Sequence, residues 1–133
     1  MRALEDIYNI LSTDSGVTDL VGTNIFPIIV PEGHSLPAVV FTVLEETPNN
    51  TKDQDSDLDE VIIEVYSITT DVLSSVNLNA AIRDAMDYVE DHGNIAKIFY
   101  REGISHAFDF IDPDDASAIA YSFISRYKIF YNR

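Results

Sequence analysis

The chain has 133 residues, 46% of them hydrophobic, which suffices for one domain with its own core and is too short for two. Its 23 acids against 8 bases give a net charge of -15, which excludes a nucleic-acid binder working through clustered lysine and arginine. Cysteine is absent, so disulfides and thiolate metal sites are excluded, and no run approaches the ~20 apolar residues of a membrane helix.

In chain order, Leu4, Ile7, Tyr8 and Leu11 fall at helical spacing, with Glu5 and Asp6 in the first turn, where the helix dipole favours acids. The same acids stand where a secretory signal would be apolar, so the chain is expected to stay in the compartment where it is made, and its lack of cysteine is compatible with assembly in a reducing cytoplasm. Asp14 or Ser15 can cap a short second helical turn that Gly22 stops. Asn24 to Val30 reads as a strand that Pro27 places at a sheet edge, because proline cannot donate to a ladder. Ala38 to Leu44 is almost wholly β-branched and aromatic and is expected at the sheet centre. From Thr47 to Asp57 no residue but proline is apolar, which predicts a long acidic loop that cannot offset its ordering entropy. Val61 to Ile68 resumes the strand pattern, with Val61, Ile63 and Val65 on one face and Ile62, Glu64, Tyr66 and Ile68 on the other.

Thr69-Thr70-Asp71 offers an N-cap for a long helix whose sheet-facing side is marked by Leu73, Val76, Ala80, Met86 and Val89 and whose end is expected at His92, before Gly93. Two alternating runs then flank Asp112-Pro113-Asp114-Asp115, a strong turn sequence, so the chain should close on a β-hairpin. The expected architecture is α+β: a mainly antiparallel sheet of four to five strands, one long helix packed on it, and a short helical N-terminal segment, all in a single domain.

Candidate chemistry is sparse. Asp53, Asp55, Asp57 and Glu64 have the oxygen spacing of a calcium loop, but Leu58 stands where the sharp turn demands glycine, and Glu64 falls inside a strand. They form a weak calcium set beside the alternative of a solvated acidic loop. The three histidines have no partner at metal spacing, and no serine sits in a glycine-flanked nucleophile elbow. No catalytic residue, cofactor site or metal site is therefore expected, which itself points to a structural or binding role.

The order of these blocks carries a resemblance. Leu20-Val21-Gly22-Thr23-Asn24-Ile25-Phe26-Pro27, then Leu36-Pro37-Ala38-Val39-Val40-Phe41, an acidic hairpin, a long helix and a closing hairpin around Asp112-Pro113-Asp114 resemble the tail-completion, or tail-terminator, proteins of long-tailed bacteriophages. The resemblance implies a virion part and not an enzyme. It would form a ring, usually of six copies, that caps the tail tube, stops its growth and joins the tail to the head connector. The partners implied are the chain itself, the major tail-tube protein and a head-completion or neck protein, with DNA passing through the lumen unbound and no membrane involved.

Of the acids, 18 lie in residues 1–94 against three bases, while residues 95–133 hold five of each; in such a ring part of the excess acid of residues 1–94 is expected to face the DNA channel. Subunit contacts are expected at the acidic hairpin (Thr47, Asn49, Asn50, Lys52, Asp53, Asp55, Asp57) and on the aromatic C-terminal strand (Tyr121, Phe123, Tyr127, Tyr131). Two other readings are a neck or head-completion adaptor of the virion and a small calcium-responsive binding module.

Overall fold

In the computed structural model, which describes residues 2–28, 36–48, 58–108 and 120–132, three helices lie against one face of a six-stranded sheet. Along the chain these are α1 (Arg2–Thr13), α2 (Ser15–Val21), β1 (Ile25–Pro27), β2 (Ala38–Pro48), β3 (Leu58–Thr69), α3 (Val72–Met86), β4 (Glu90–His92), β5 (Ile95–Phe108) and β6 (Ala120–Asn132). Across the sheet the order is β1-β2-β3-β6-β5-β4. Only β1 and β2 run parallel, and the sheet curls into a half-barrel.

The helix ends follow from local chemistry. The Asp14 carboxylate accepts the Val17 amide at 3.1 Å to start α2, and Gly22, at φ 61, ends it by donating its N–H to the Thr18 carbonyl at 2.7 Å. Asp71 starts α3 in the same way, accepting the Ser74 amide at 2.8 Å. The core then forms between the helices and one side of the sheet. Val61, Ile63 and Val65 alternate inward from β3, as their spacing predicts, and meet Phe41, Ile98, Tyr127 and Ile129 from neighbouring strands. Ile7 and Leu11 of α1 and Leu78, Ile82 and Met86 of α3 close the cluster from above, all buried. Tyr100 packs edge-on against Tyr127, ring centroids 5.6 Å apart.

Several expectations need correction. The sheet has six strands and not four to five, and three helices replace the single long one with its short N-terminal companion. Helix α3 ends at Met86 and not at His92: Glu90 and His92 turn back through Gly93, at φ 58, to pair with Lys97 and Ile95. A glycine at positive φ serves a two-residue hairpin as readily as a helix end, so Gly93 alone could not distinguish them.

The buried face of α3 is Ser75, Leu78, Asn79, Ile82 and Met86, whereas Leu73 and Val76 are 69% and 40% exposed. Two polar residues can lie inward because each is satisfied: the Ser75 hydroxyl donates to the Val72 carbonyl, and the Ser125 hydroxyl donates to the Asn79 side-chain oxygen. Finally, β2 is second from one side of the sheet, and the centre belongs to β3 and β6. β2 also continues to Pro48, which pairs with Asp59, so it takes in Thr47, the first residue of the expected loop. The remainder of that loop, 49–57, and the Asp112-Pro113 turn lie outside the described residues.

Candidate functional site

The helix-free face of the sheet gathers charges that are far apart in sequence. Alternation turns Glu60, Ile62, Glu64 and Tyr66 of β3 to this side, together with Arg126, Lys128 and Phe130 of β6. Arg126 stands at the middle. Its Nε donates to Glu64 Oε2 at 2.9 Å and its Nη1 to Glu102 Oε1 at 3.0 Å, so one guanidinium ties β6 to both neighbouring strands. Glu64 and then Glu102 raise the guanidinium's pKa further, keeping it charged. The Tyr66 hydroxyl donates to Glu64 Oε1 at 3.0 Å. Burial first, and then this hydrogen bond to a carboxylate, push that phenol above its ordinary value.

Lys128 reaches Glu60 at 3.5 Å and Lys97 reaches Glu90 at 3.2 Å. A cleft of about 230 Å³ runs across four strands here, lined by Glu45 and Thr47 of β2, Glu60 and Ile62 of β3, Lys128 of β6 and Arg101 of β5. Among the described residues, four bases, Lys97, Arg101, Arg126 and Lys128, therefore sit on a face whose charges nearly balance. Among the described residues, no group of three histidines or carboxylates is placed to hold a metal ion. Glu64 is withdrawn from the calcium set, since both its oxygens are engaged by Tyr66 and Arg126 in mid-strand; Asp53, Asp55 and Asp57 lie outside the described residues.

The two borders of the sheet are incompletely covered. β1 spans only the stretch of β2 from Val39 to Phe41, and β4 only the stretch of β5 from Ile95 to Lys97, extended by Ile98, whose N–H donates to the Val89 carbonyl and whose carbonyl accepts the Tyr88 amide. Among the described residues nothing pairs with the outer side of β2 beyond Phe41 or with that of β5 beyond Tyr100. Each free stretch carries a bulge, at Leu44 in β2 and at Arg101 in β5. Leu44 is 52% exposed, and Glu45, Glu46 and Arg101 are exposed as well. Between α1 and β1 a mainly apolar groove of about 490 Å³ is lined by Leu4, Tyr8, Pro27, Ile28 and Phe41, with Glu5 and Asn9 beside them.

Borders that no described residue pairs with, and exposed apolar residues, are what an assembling subunit presents. The family model for tail completion protein gp17 matches residues 5–119. The chain belongs to that family. It is a structural, tail-related component of a phage virion. Among solved structures, a chain of the virion of a native gene transfer agent particle shares the fold, with a TM-score of 0.66 at 16% identity over 96% of this chain and 92% of that one. No curated protein matches the chain, so the family model and the fold carry the assignment.

Within the tail completion fold, the expected contact residues fall in different places. Thr47 is exposed at the end of β2, its hydroxyl donating to Glu45 at 3.2 Å. Asn49, Asn50, Lys52, Asp53, Asp55 and Asp57 lie outside the described residues. Tyr121 and Phe123 are half-buried. Tyr127 and Tyr131 are buried in the core, which takes them out of any contact between copies, and β6 lies between β3 and β5 and is not a border strand. An aromatic alternating strand has the same pattern whether it ends a sheet or bisects one. What the sequence reading missed was the network around Arg126, which joins residues 62 and 24 positions apart and leaves no local signal.

Proposed function

We propose that this chain is the tail terminator of its phage: a ring of copies, six in the simplest case, that closes the last layer of tail-tube subunits and offers its other side to the neck. Membership of the tail completion protein gp17 family over residues 5–119 carries the reading. The stretches of sheet border that no described residue covers and the exposed apolar residues Leu44, Val72 and Leu73 support it, since these surfaces are costly to leave solvated. The mechanism is geometric. Once the ring sits on the tube, no surface remains to which another tube layer can add. DNA then passes through the lumen without specific binding, because phosphate contacts by many lysines and arginines would hold it there, and a chain of net charge -15 has few to spare.

The test is a phage lacking this chain, viewed by electron microscopy, together with purified tube protein polymerised with and without the chain. Overlong tails in the phage, and tubes that stop growing when the chain is added, are the expected results. Tails of normal length lying beside full, unjoined heads would reject termination and make the chain a neck adaptor. Tubes that neither bind the chain nor change in length would reject contact with the tube.

A further inference from the structure

Two bulky residues of this chain are unfavourably placed in two ways at once. Among the described residues, the non-glycine residues at positive φ are Ile28 (φ 73), Tyr88 (φ 63) and Asp91 (φ 52). Aspartate tolerates this conformation, whereas isoleucine and tyrosine are strained in it. Ile28 and Tyr88 are also 68% and 71% exposed. In an isolated chain, glycine or asparagine would serve better at both positions. A strained backbone that carries an exposed apolar side chain points to a contact made outside the single copy.

The two residues belong to different borders of the sheet. Ile28 follows β1, and its N–H donates to the Phe41 carbonyl at 2.9 Å; Tyr88 precedes β4, and its N–H donates to the Ile98 carbonyl at 3.1 Å. Ile28 lines the groove between α1 and β1 together with Leu4, Tyr8, Pro27 and Phe41. Helix α1, which forms one wall, is fastened to the β4–β5 turn, where the Asn94 N–H donates to the Asp6 carboxylate at 3.3 Å. The groove is therefore held in shape before anything enters it. Tyr88 does not line the groove of its own copy.

We propose that the Tyr88 ring of one copy enters the α1–β1 groove of the next and packs there against Leu4, Tyr8 and Ile28. The inference rests on the ring reading above and names a contact that would hold such a ring together. The groove's chemistry selects this occupant. Its walls are apolar, while its two polar residues, Glu5 and Asn9, stand one turn apart on α1 and are both exposed. A site of this kind suits a flat apolar body with a hydrogen-bond donor at its tip. A phenol has that form: the ring covers apolar wall while the hydroxyl donates to the Glu5 carboxylate or the Asn9 side-chain oxygen. Of the chain's seven tyrosines, only Tyr88 and Tyr8, itself part of the groove, are exposed. Ring and groove share no residue, so a copy bound through one still offers the other. Such a head-to-tail contact is the kind from which rings close.

The experiment uses the full chain, at concentrations where it assembles alone or on tube protein. Tyr88→Asn should raise the concentration needed for the ring-sized species, read by light scattering, at least about thirtyfold, as expected for loss of a central aromatic anchor. The Tm of its monomer should stay level or rise, because asparagine accepts positive φ. The chain has no tryptophan, so Tyr88→Trp supplies a single reporter that keeps a flat ring and a donor. It should assemble, and its emission should shift to the blue only on assembly. A photoreactive benzoylphenylalanine in place of Asn9 should cross-link to peptide Asp84–Lys97 of another copy. Full assembly by Tyr88→Asn, or a tryptophan that stays solvated in the assembled ring, would overturn the contact and leave the ring standing. A fall in monomer Tm of more than about 4 °C in Tyr88→Asn would place the ring in its own chain's packing and overturn it too. Cross-links to tube protein alone would give the groove to the tube, and assembly that stops at dimers would rule out a head-to-tail contact. A chain that stays monomeric even on tube protein would overturn both the contact and the ring.

Discussion

Helix α3 offers the sharpest test of the packing, because two leucines five residues apart have opposite surroundings. Leu78 is 1% exposed, at the centre of the cluster formed with Ile82, Met86 and Ile63; Leu73 is 69% exposed. Leu78→Ala removes about three buried methyl or methylene groups, worth about 2.4 kcal/mol in transfer free energy, and the unfilled cavity raises the cost to about 3 to 4 kcal/mol. With an unfolding entropy of about 2.1 cal/mol/K per residue, a chain of this length loses about 4 °C of Tm per kcal/mol, so the expected fall is about 10 to 14 °C. Leu73→Ala leaves a surface position and should change stability by no more than about 0.5 kcal/mol, or about 2 °C. Thermal unfolding by circular dichroism, at a concentration where the chain is monomeric, separates the two, since association would add its own concentration-dependent stability. Equal losses, or a larger loss at Leu73, would refute this placement of the helix and restore the face running through Leu73, Val76 and Ala80.

Gly103→Ala should cost about 1 to 3 kcal/mol by urea titration, because a Cβ there would lie 2.6 Å from the Phe123 ring and against the Tyr100 hydroxyl. Ser125→Ala should cost about 1 to 3 kcal/mol by leaving the Asn79 side-chain oxygen buried without its donor, and Asn79→Leu with Ser125→Ala should recover most of that loss. The Ser74 amide, and then its hydroxyl, hold the Asp71 carboxyl below the usual carboxylate range. Its capping contribution is therefore complete above the unfolded pKa of about 3.9 and fades as pH falls through the lower folded value, so the Tm gap between the unaltered chain and Asp71→Ala should narrow below about pH 4. A gap that stays constant down to pH 2.5 would remove the charge from the argument. Deleting Asn49 to Ser56 should leave Tm within a few degrees, because Pro48 and Asp59 already pair and a shorter turn can join them; tail length in infected cells then decides whether the loop has a role in capping.

Much of the local structure was legible in the residues, because it depends on neighbours in the chain. Asp14, Gly22 and Asp71 act on amides and carbonyls within four residues, so their roles as helix ends could be read directly. Val61, Ile63 and Val65 alternate in sequence as they alternate in space, and Pro27 lies in a border strand because it lacks a donor. The family layout was legible for the same reason, being an order of such blocks. The inward face of α3 was not, since Ser75 and Asn79 look solvent-facing until Ser125 arrives from 46 positions away to satisfy one of them. Nor was the place of β6. Its Tyr127 and Tyr131 alternate as well for an exposed border as for a buried centre, and only the pairing of β6 with both β3 and β5 turns them inward. The charged face around Arg126 follows from that same pairing: an element's periodicity specifies its own two sides, while the order of strands, and hence which charges meet, is decided by contacts between residues distant in sequence.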